Sequence, residues 1–180
     1  MSRRQTKAQT VVIIGMGDTG VLVAARLSRH FNVIGISTKP NLVSGQEVGK
    51  RLADLSWWNR YYNTPLRRFK ALVGVEIRHA KAERVDLVNK KVAVVDESNS
   101  ETLIDFDFLV IASGTSNGFW RDDNLRSEAQ IDGRLKRDAA AIRDANTLAI
   151  IGGGPCGVSC ALNIRRAYPE KIVSLYISAD

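Results

Sequence analysis

The sequence predicts an α/β protein built from two strand–turn–helix units, with a small antiparallel β insert in the first. Three observations lead there. Gly15-Met16-Gly17-Asp18-Thr19-Gly20 directly follows the apolar run Val11-Val12-Ile13-Ile14. Gly152-Gly153-Gly154-Pro155-Cys156-Gly157 follows Leu148-Ala149-Ile150-Ile151 in the same way. Between them lie segments of alternating apolar and polar residues, punctuated by Asn89-Lys90 and Glu97-Ser98-Asn99-Ser100. An apolar run, a glycine turn and a helix make a site for a dinucleotide. The first glycine forms the turn, the second lets backbone approach a pyrophosphate, and the third lets helix pack on strand. The helix start then offers unpaired N–H groups and the positive end of its dipole to phosphate. One such fingerprint is weak evidence. Two in matching contexts point to two dinucleotides, and so to electron transfer between them.

The elements follow in order. Val21-Leu22-Val23-Ala24-Ala25-Arg26-Leu27 has the apolar content of a helix packed on a sheet. Val33 to Ile36 is the next strand, broken by Thr38-Lys39-Pro40-Asn41. An acidic residue often ends this strand and grips a ribose hydroxyl. Here that place falls on Ser37 or Thr38, and a hydroxyl bonds ribose more weakly than a carboxylate does. Lys39 is read either as a solvated loop residue or as a phosphate partner. Gly45 to Tyr62 is expected to be helical, with Trp57, Trp58, Tyr61 and Tyr62 as core or as the wall of a pocket.

From Gly74 the pattern alternates through Val75-Glu76-Ile77-Arg78-His79, parts of Ala82 to Val88, and Val92 to Val95. This stretch, about 74–105, is expected to form the antiparallel insert, with His79 on the surface. Phe106 to Ala112 is predicted to be a fully buried strand. It opens into Ser113-Gly114-Thr115, at the strand end where parallel sheets bind ligands. Gly118 to Ala145 is expected to be largely helical, with Ile131, Leu135 and Ile142 facing inward. Val158 to Tyr168 follows the second fingerprint as a helix ended by Pro169, and Ile172 to Ile177 is the last strand.

Composition narrows the class. The 180 residues are 44% hydrophobic and 25% charged, ordinary values for a globular protein. No apolar run nears the roughly 20 residues needed to cross a bilayer. Met1 to Gln9 is polar and basic and lacks the apolar core of a secretory signal, so a cytosolic location is expected. The formal charge of +7 is scattered over Arg3-Arg4, Arg67-Arg68-Lys70, Lys90-Lys91 and Arg165-Arg166. Such a field attracts anionic cofactors or an anionic membrane surface. No nucleic-acid-binding motif accompanies it, so nucleic acid is not expected as a partner. Cys156 and Cys160 are expected to pack on their helix. With His30 and His79 far off in sequence, no metal site is expected.

Taken together, the two fingerprints, the β insert and the Ala112-Ser113-Gly114-Thr115 loop resemble the flavoproteins with two dinucleotide-binding domains, the pyridine nucleotide–disulfide oxidoreductase-like family. The resemblance spans about Thr10 to Asp180 and is nearest the apoptosis-inducing-factor-like and type II NADH:quinone oxidoreductase branch. It implies a Rossmann-like FAD-binding domain over 1–117, then a linker helix and an incomplete NAD(P)H-binding domain over 118–180. It also implies that Gly15, Gly17 and Gly20, flanked by Asp18 and Thr19, cradle the FAD pyrophosphate. Ser37 and Lys39 would lie near the adenosine ribose, and Ala82 would approach adenine through its backbone. Ala112, Ser113 and Gly114 would pass close to FAD. Gly152, Gly154 and Gly157, with Pro155 and Cys156 between them, would receive NAD(P)H.

The implied activity is hydride transfer from NAD(P)H to flavin and electron transfer onward to a quinone or another small acceptor. No catalytic side chain is assigned. A homodimer is left open, as is peripheral attachment to a membrane, which in this family generally uses carboxyl-terminal elements. There are departures from the pattern. Ser159 stands where the family often has glutamate, Ile177 stands where NADH-specific members have an acid, and the redox cysteine pair of the disulfide reductases is absent. Asp18 would repel a pyrophosphate unless it points away. Two parallel strands and one helix cannot cover their own apolar faces. The chain is therefore expected to be the amino-terminal part of a longer protein, and the alternative to an enzyme is a non-catalytic nucleotide-binding module.

Overall fold

The computed structural model describes residues 9–43, 48–58, 60, 63–116 and 123–178. These fall into two compact units. The first contains 9–42, 65–116 and 123–127, and the second contains the remaining described residues.

The first unit is organised by a parallel sheet. Its strands are β1 (Thr10–Ile14), β2 (Asn32–Ser37), β5 (Val75–His79) and β9 (Phe108–Ile111), in the order β5-β2-β1-β9. All three pairings are parallel, with Val11 opposite Val33 and Phe108, and Val33 opposite Val75. Helix α1 (Asp18–Leu27) joins β1 to β2. The apolar run in β1 is explained by burial on both faces. Val11 and Ile13 pack with Met16, Ala24, Val33, Leu66 and Leu72 on one side. Val12 packs with Ile34, Ile36, Val92, Val94, Ile104 and Phe106 on the other. That second layer is an antiparallel meander of β6 (Lys81–Asp86), β7 (Lys91–Val95) and β8 (Glu101–Asp105), with a bulge between Ala82 and Arg84.

Two strand expectations differ from this arrangement. Val75–His79 is not part of the antiparallel insert but pairs in parallel with β2. Its alternating pattern comes from lying at the sheet's edge, half covered. The strand expected over Phe106 to Ala112 is shorter and is not fully buried: Phe108 is 49% and Ile111 69% exposed. It forms the other edge, where one side has no neighbouring strand among the described residues.

The second unit holds α2 (Val48–Ala53), the short turn α3 (Leu55–Trp57), α4 (Glu128–Asp144), β10 (Thr147–Ile151), α5 (Pro155–Ala167) and β11 (Ile172–Tyr176). Short strands β3 (Asn41–Val43) and β4 (Asn63–Pro65) pair with each other where the chain passes from one unit to the other and back. Leu52, Trp58, Ile131 and Leu135 form the core, with Leu55, Ile142 and Cys160 against them. Trp58 donates its indole N–H to Asp132 at 3.3 Å, and Arg51 is fully buried with its guanidinium 6.0 Å from the Trp58 ring. The half-buried Trp57 ring lies under the Lys50 ammonium.

The expected helix over 45–62 is broken at Asp54. Its carboxylate accepts from the Ser56 N–H at 2.9 Å and starts a new turn, as N-capping aspartates do. Gly45, Tyr61 and Tyr62 lie outside the described residues. The helix expected from Gly118 begins at Glu128, with 118–122 also outside. Its far end is capped by Lys171, whose ammonium donates to the carbonyls of Arg143 and Ala145, each at 2.6 Å. Strand β10 is an apolar run in sequence, yet its residues alternate in burial and Ile151 is 88% exposed. It pairs in parallel with β11 alone among the described residues, so little covers its outer face.

The meander layer supplies a test of this packing. Ile104→Ala removes a side chain wedged between the sheet and the insert, and should cost about 2–4 kcal/mol in urea unfolding. Leu103→Ala, one residue earlier on the solvent face, should change stability by less than about 0.5 kcal/mol.

Candidate functional site

The two glycine turns have the same construction. At the first, the Gly15 N–H donates to the Ile36 carbonyl at 2.8 Å; at the second, the Gly152 N–H donates to the Tyr176 carbonyl at 2.8 Å. Each turn residue then takes a left-handed backbone, φ +98° at Gly15 and +109° at Gly152, which side chains other than glycine's adopt only with strain. A Cβ on Gly20 would collide with the Gly15 carbonyl oxygen, and one on Gly157 with that of Gly152. The third glycine of each fingerprint is therefore required for the helix to reach its strand.

The middle glycines differ from these. Gly17 and Gly154 are the N-caps of α1 and α5, both with extended backbone and neither with a side-chain cap. An added Cβ at either would meet nothing within 4 Å. Each helix start is thus bare and open, a cradle that a Cβ would fill. Its backbone donors and dipole suit a diphosphate. Pro155 opens α5, where its missing N–H costs nothing. Asp18 and Thr19 are exposed in the first turn of α1.

The first unit brings further residues to the carboxyl edge of its sheet. The Ala112 N–H donates to the Ile14 carbonyl at 2.8 Å, so the backbone of Ala112 and Ser113 runs against Gly15 closely enough to exclude a Cβ there. Ser113 and Gly114 are exposed beyond it, Gly114 with φ +69°. Ser37 is buried at the end of β2. Its hydroxyl donates to the Lys39 carbonyl at 2.7 Å and accepts from the Lys39 N–H at 3.3 Å, so it shapes the loop's backbone. The Lys39 ammonium lies 3.5 Å from the Thr38 hydroxyl. Ala82 sits beside the bulge at the start of β6.

His79 corrects one expectation. It is half-buried, not a surface residue, and lies opposite Ser37 across the β2–β5 pair. Its Nε2 is 3.2 Å from the Thr38 carbonyl and 3.1 Å from the Arg126 carbonyl, and its Nδ1 is 3.5 Å from Glu97. Carbonyls only accept, so Nε2 carries the hydrogen. The Arg126 N–H also donates to the Thr38 carbonyl at 3.0 Å. Residues 123–127 are thereby strapped across the end of β2. The polar phase of the strand pointed outward in sequence, but Arg126 and Glu97, both distant in sequence, lie against it.

At the second turn, Gly153 is in close contact with Ile177: the isoleucine methyl occupies the place of a Gly153 side chain. An apolar group therefore stands where a ribose-binding acid is common. Ser159 accepts from the Asn163 amide through its carbonyl at 2.8 Å and its hydroxyl at 3.3 Å. The expectation that both cysteines pack is half corrected. Cys160 is partly buried against the core, but Cys156 is exposed in the first turn of α5. Burial, and secondarily the nearby Cys156, push the Cys160 thiol upward.

Because the thiolate is the reactive form, maleimide labelling followed by peptide mass mapping should modify Cys156 well before Cys160.

Comparison with known proteins identifies the family and the fold. The family model described as pyridine nucleotide-disulphide oxidoreductase matches residues 9–176. Ferroptosis suppressor protein 1 of Xenopus tropicalis is 34% identical over 166 residues, covering 92% of this chain and 42% of that protein. Among solved structures, reduced CoADR-RHD of Bacillus anthracis matches with a TM-score of 0.72 at 19% identity, over 96% of this chain and 33% of that one. The water-forming NADH oxidase from Lactobacillus brevis, bound to NADH, matches with a TM-score of 0.64 at 17% identity, over 94% and 40%. At such identities the structural likeness is one of fold, and the chain spans well under half the length of these proteins. With its fold, both turns and the match over 9–176 in agreement, the chain belongs to the pyridine nucleotide-disulphide oxidoreductase family, whose members are FAD-dependent enzymes of NADH or NADPH.

Proposed function

We propose that this chain carries FAD on the turn between β1 and α1 and NAD(P)H on the turn between β10 and α5. In this reading it serves an oxidoreductase that delivers electrons to a quinone or another small acceptor. One observation carries the proposal. Two turns 137 residues apart share one construction, a left-handed first glycine, a bare open N-cap and a third glycine pressed on the first. Packing alone would require the first and third glycines. It does not require the open second one, which a phosphate does.

The residues divide the work. Gly17 with the first N–H groups of α1, and Gly154 with those of α5, would bind the two diphosphates. Ser37, through its bonds to Lys39, fixes the loop at the ribose end of the first site, and His79 holds the strap above it. The Ala112–Gly114 backbone would border the flavin side, and Ala82 the adenine. When bound, the two nucleotides supply the redox chemistry, with nicotinamide as hydride donor and flavin as acceptor, so no acid–base dyad is required of the protein. A non-catalytic nucleotide-binding module is the second reading. It is favoured by the Ser37 hydroxyl being engaged with Lys39 and by the exposed β10–β11 pair.

The visible spectrum of purified chain, before and after NADH and then NADPH, separates the two. A flavin band that bleaches on adding reductant supports the enzyme. A colourless protein that binds only free nucleotide supports the module.

Gly17→Ala and Gly154→Ala sharpen the assignment. Neither new methyl meets protein, and the loss from alanine being a poorer N-cap than glycine should stay within about 1 kcal/mol for each variant. Gly17→Ala should weaken FAD binding by roughly tenfold or more, about 1.4 kcal/mol, while sparing NADH. Gly154→Ala should do the reverse, as measured by titration calorimetry.

A further inference from the structure

We propose that the amino edge of the first unit's sheet, opposite its glycine turn, is a docking surface for an anionic lipid membrane. The register defines this edge. Val75, Val33, Val11 and Phe108 lie side by side at its start. The segments feeding these strands therefore gather there. Val73 and Gly74 precede β5, and Arg29 to Phe31 precede β2. The tip of the β6–β7 hairpin joins them: the Phe106 N–H donates to the Lys90 carbonyl at 3.0 Å, and the Asp107 N–H to the Thr10 carbonyl at 2.9 Å.

Three aliphatic side chains stand out from this edge. Val73 is 82%, Leu87 72% and Val88 91% exposed. Leu87 and Val88 occupy the two foremost places of a tight turn, where polar residues and glycine are usual. The turn does not need them. The Asp86 carboxylate accepts from the backbone and side-chain N–H groups of Asn89 at 2.9 and 2.8 Å, and Lys90 takes the left-handed conformation, φ 52°.

The surrounding charge is positive. Arg29, Lys70 and Lys90 are exposed, and none is in an ion pair among the described residues. Of the nearby carboxylates, two are paired with cations and two, Asp86 and Asp107, are hydrogen-bonded to N–H donors. Asp105 pairs with Lys91 at 2.6 Å, Glu76 pairs with Arg78 at 2.6 Å, and Asp107 accepts from the Thr10 N–H at 2.7 Å. Separate aliphatic prongs set among lysines and arginines suit a bilayer better than a protein. A protein groove would need one continuous apolar patch, whereas a lipid interface admits isolated prongs and pairs the cations with its headgroups. Docking here would leave the sheet's carboxyl edge, with Gly15, Ser37 and Ala112, toward water. The surface stands apart from the nucleotide reading.

The test is sedimentation of the full chain with vesicles of phosphatidylcholine alone and of phosphatidylcholine mixed with phosphatidylserine. Binding to the mixed vesicles should be roughly tenfold stronger and should fall as salt is raised. Leu87→Ser with Val88→Ser leaves the charge unchanged and touches no core. It should lower binding by roughly fivefold or more at an unaltered melting temperature. Lys70→Glu with Lys90→Glu should abolish the preference for phosphatidylserine. No sedimentation of the parent would overturn the proposal. So would equal binding by the serine variant, which would mean attraction by net charge alone, or a change in oligomeric state caused by that variant, which would assign the tip to a second copy.

Discussion

The structure depends on two places where a helix comes so close to its own strand that only a hydrogen atom fits between them. Gly20 lies on the carbonyl of Gly15, and Gly157 on that of Gly152. This contact fixes the direction in which each helix leaves its turn. It thereby decides which face of β1 is covered by α1 and which is left for the meander, and it aims the bare end of the helix past the edge of the sheet. An alanine at either place would move the helix axis, and with it both the core and the cradle. The fingerprint is thus a packing constraint first, and its usefulness to phosphate follows from the geometry that packing imposes.

The first unit shows how that geometry is defended. The ends of all four parallel strands meet at one edge, and each is held by a different device: Gly15 by the Ile36 carbonyl, Ala112 by the Ile14 carbonyl, Ser37 by its bonds to Lys39, and His79 by two carbonyls at once. A loop that would otherwise sample many conformations is tied at several points. Such ties reduce the ordering cost that a ligand would have to meet on binding.

Much of this was legible in the chain. Val11–Ile14 and the glycine spacing gave β1, its turn and α1 because a strand covered on both faces leaves an uninterrupted apolar run. The turn residues Asn89-Lys90 and Glu97–Ser100 marked the meander, while Val92–Val95 is apolar throughout and does not alternate, in keeping with the burial of Val92, Ala93 and Val94 in succession. What stayed hidden was set by distant partners. Val75–His79 alternates like an antiparallel strand, yet it is the edge of a parallel sheet, and an edge with one face half covered writes the same pattern. His79 looked solvent-facing because the segment that covers it, 123–127, lies more than forty residues away. Phe108 and Ile111 looked buried because an apolar run does not say whether a neighbour is present on each side. Asp54 was readable in principle, since aspartate is a favoured N-cap, but the aromatic-rich stretch around it masked the break.

Lys171 carries a consequence for the order in which the second unit forms. Its ammonium closes the last turn of α4 from a position 26 to 28 residues further along, just ahead of β11. Until β11 has found β10, the carbonyls of Arg143 and Ala145 lack this partner and are left to water. Helix, crossover and strand pair therefore gain their definition together, and a nascent chain released before Lys171 has emerged would lack the latch that fastens all three.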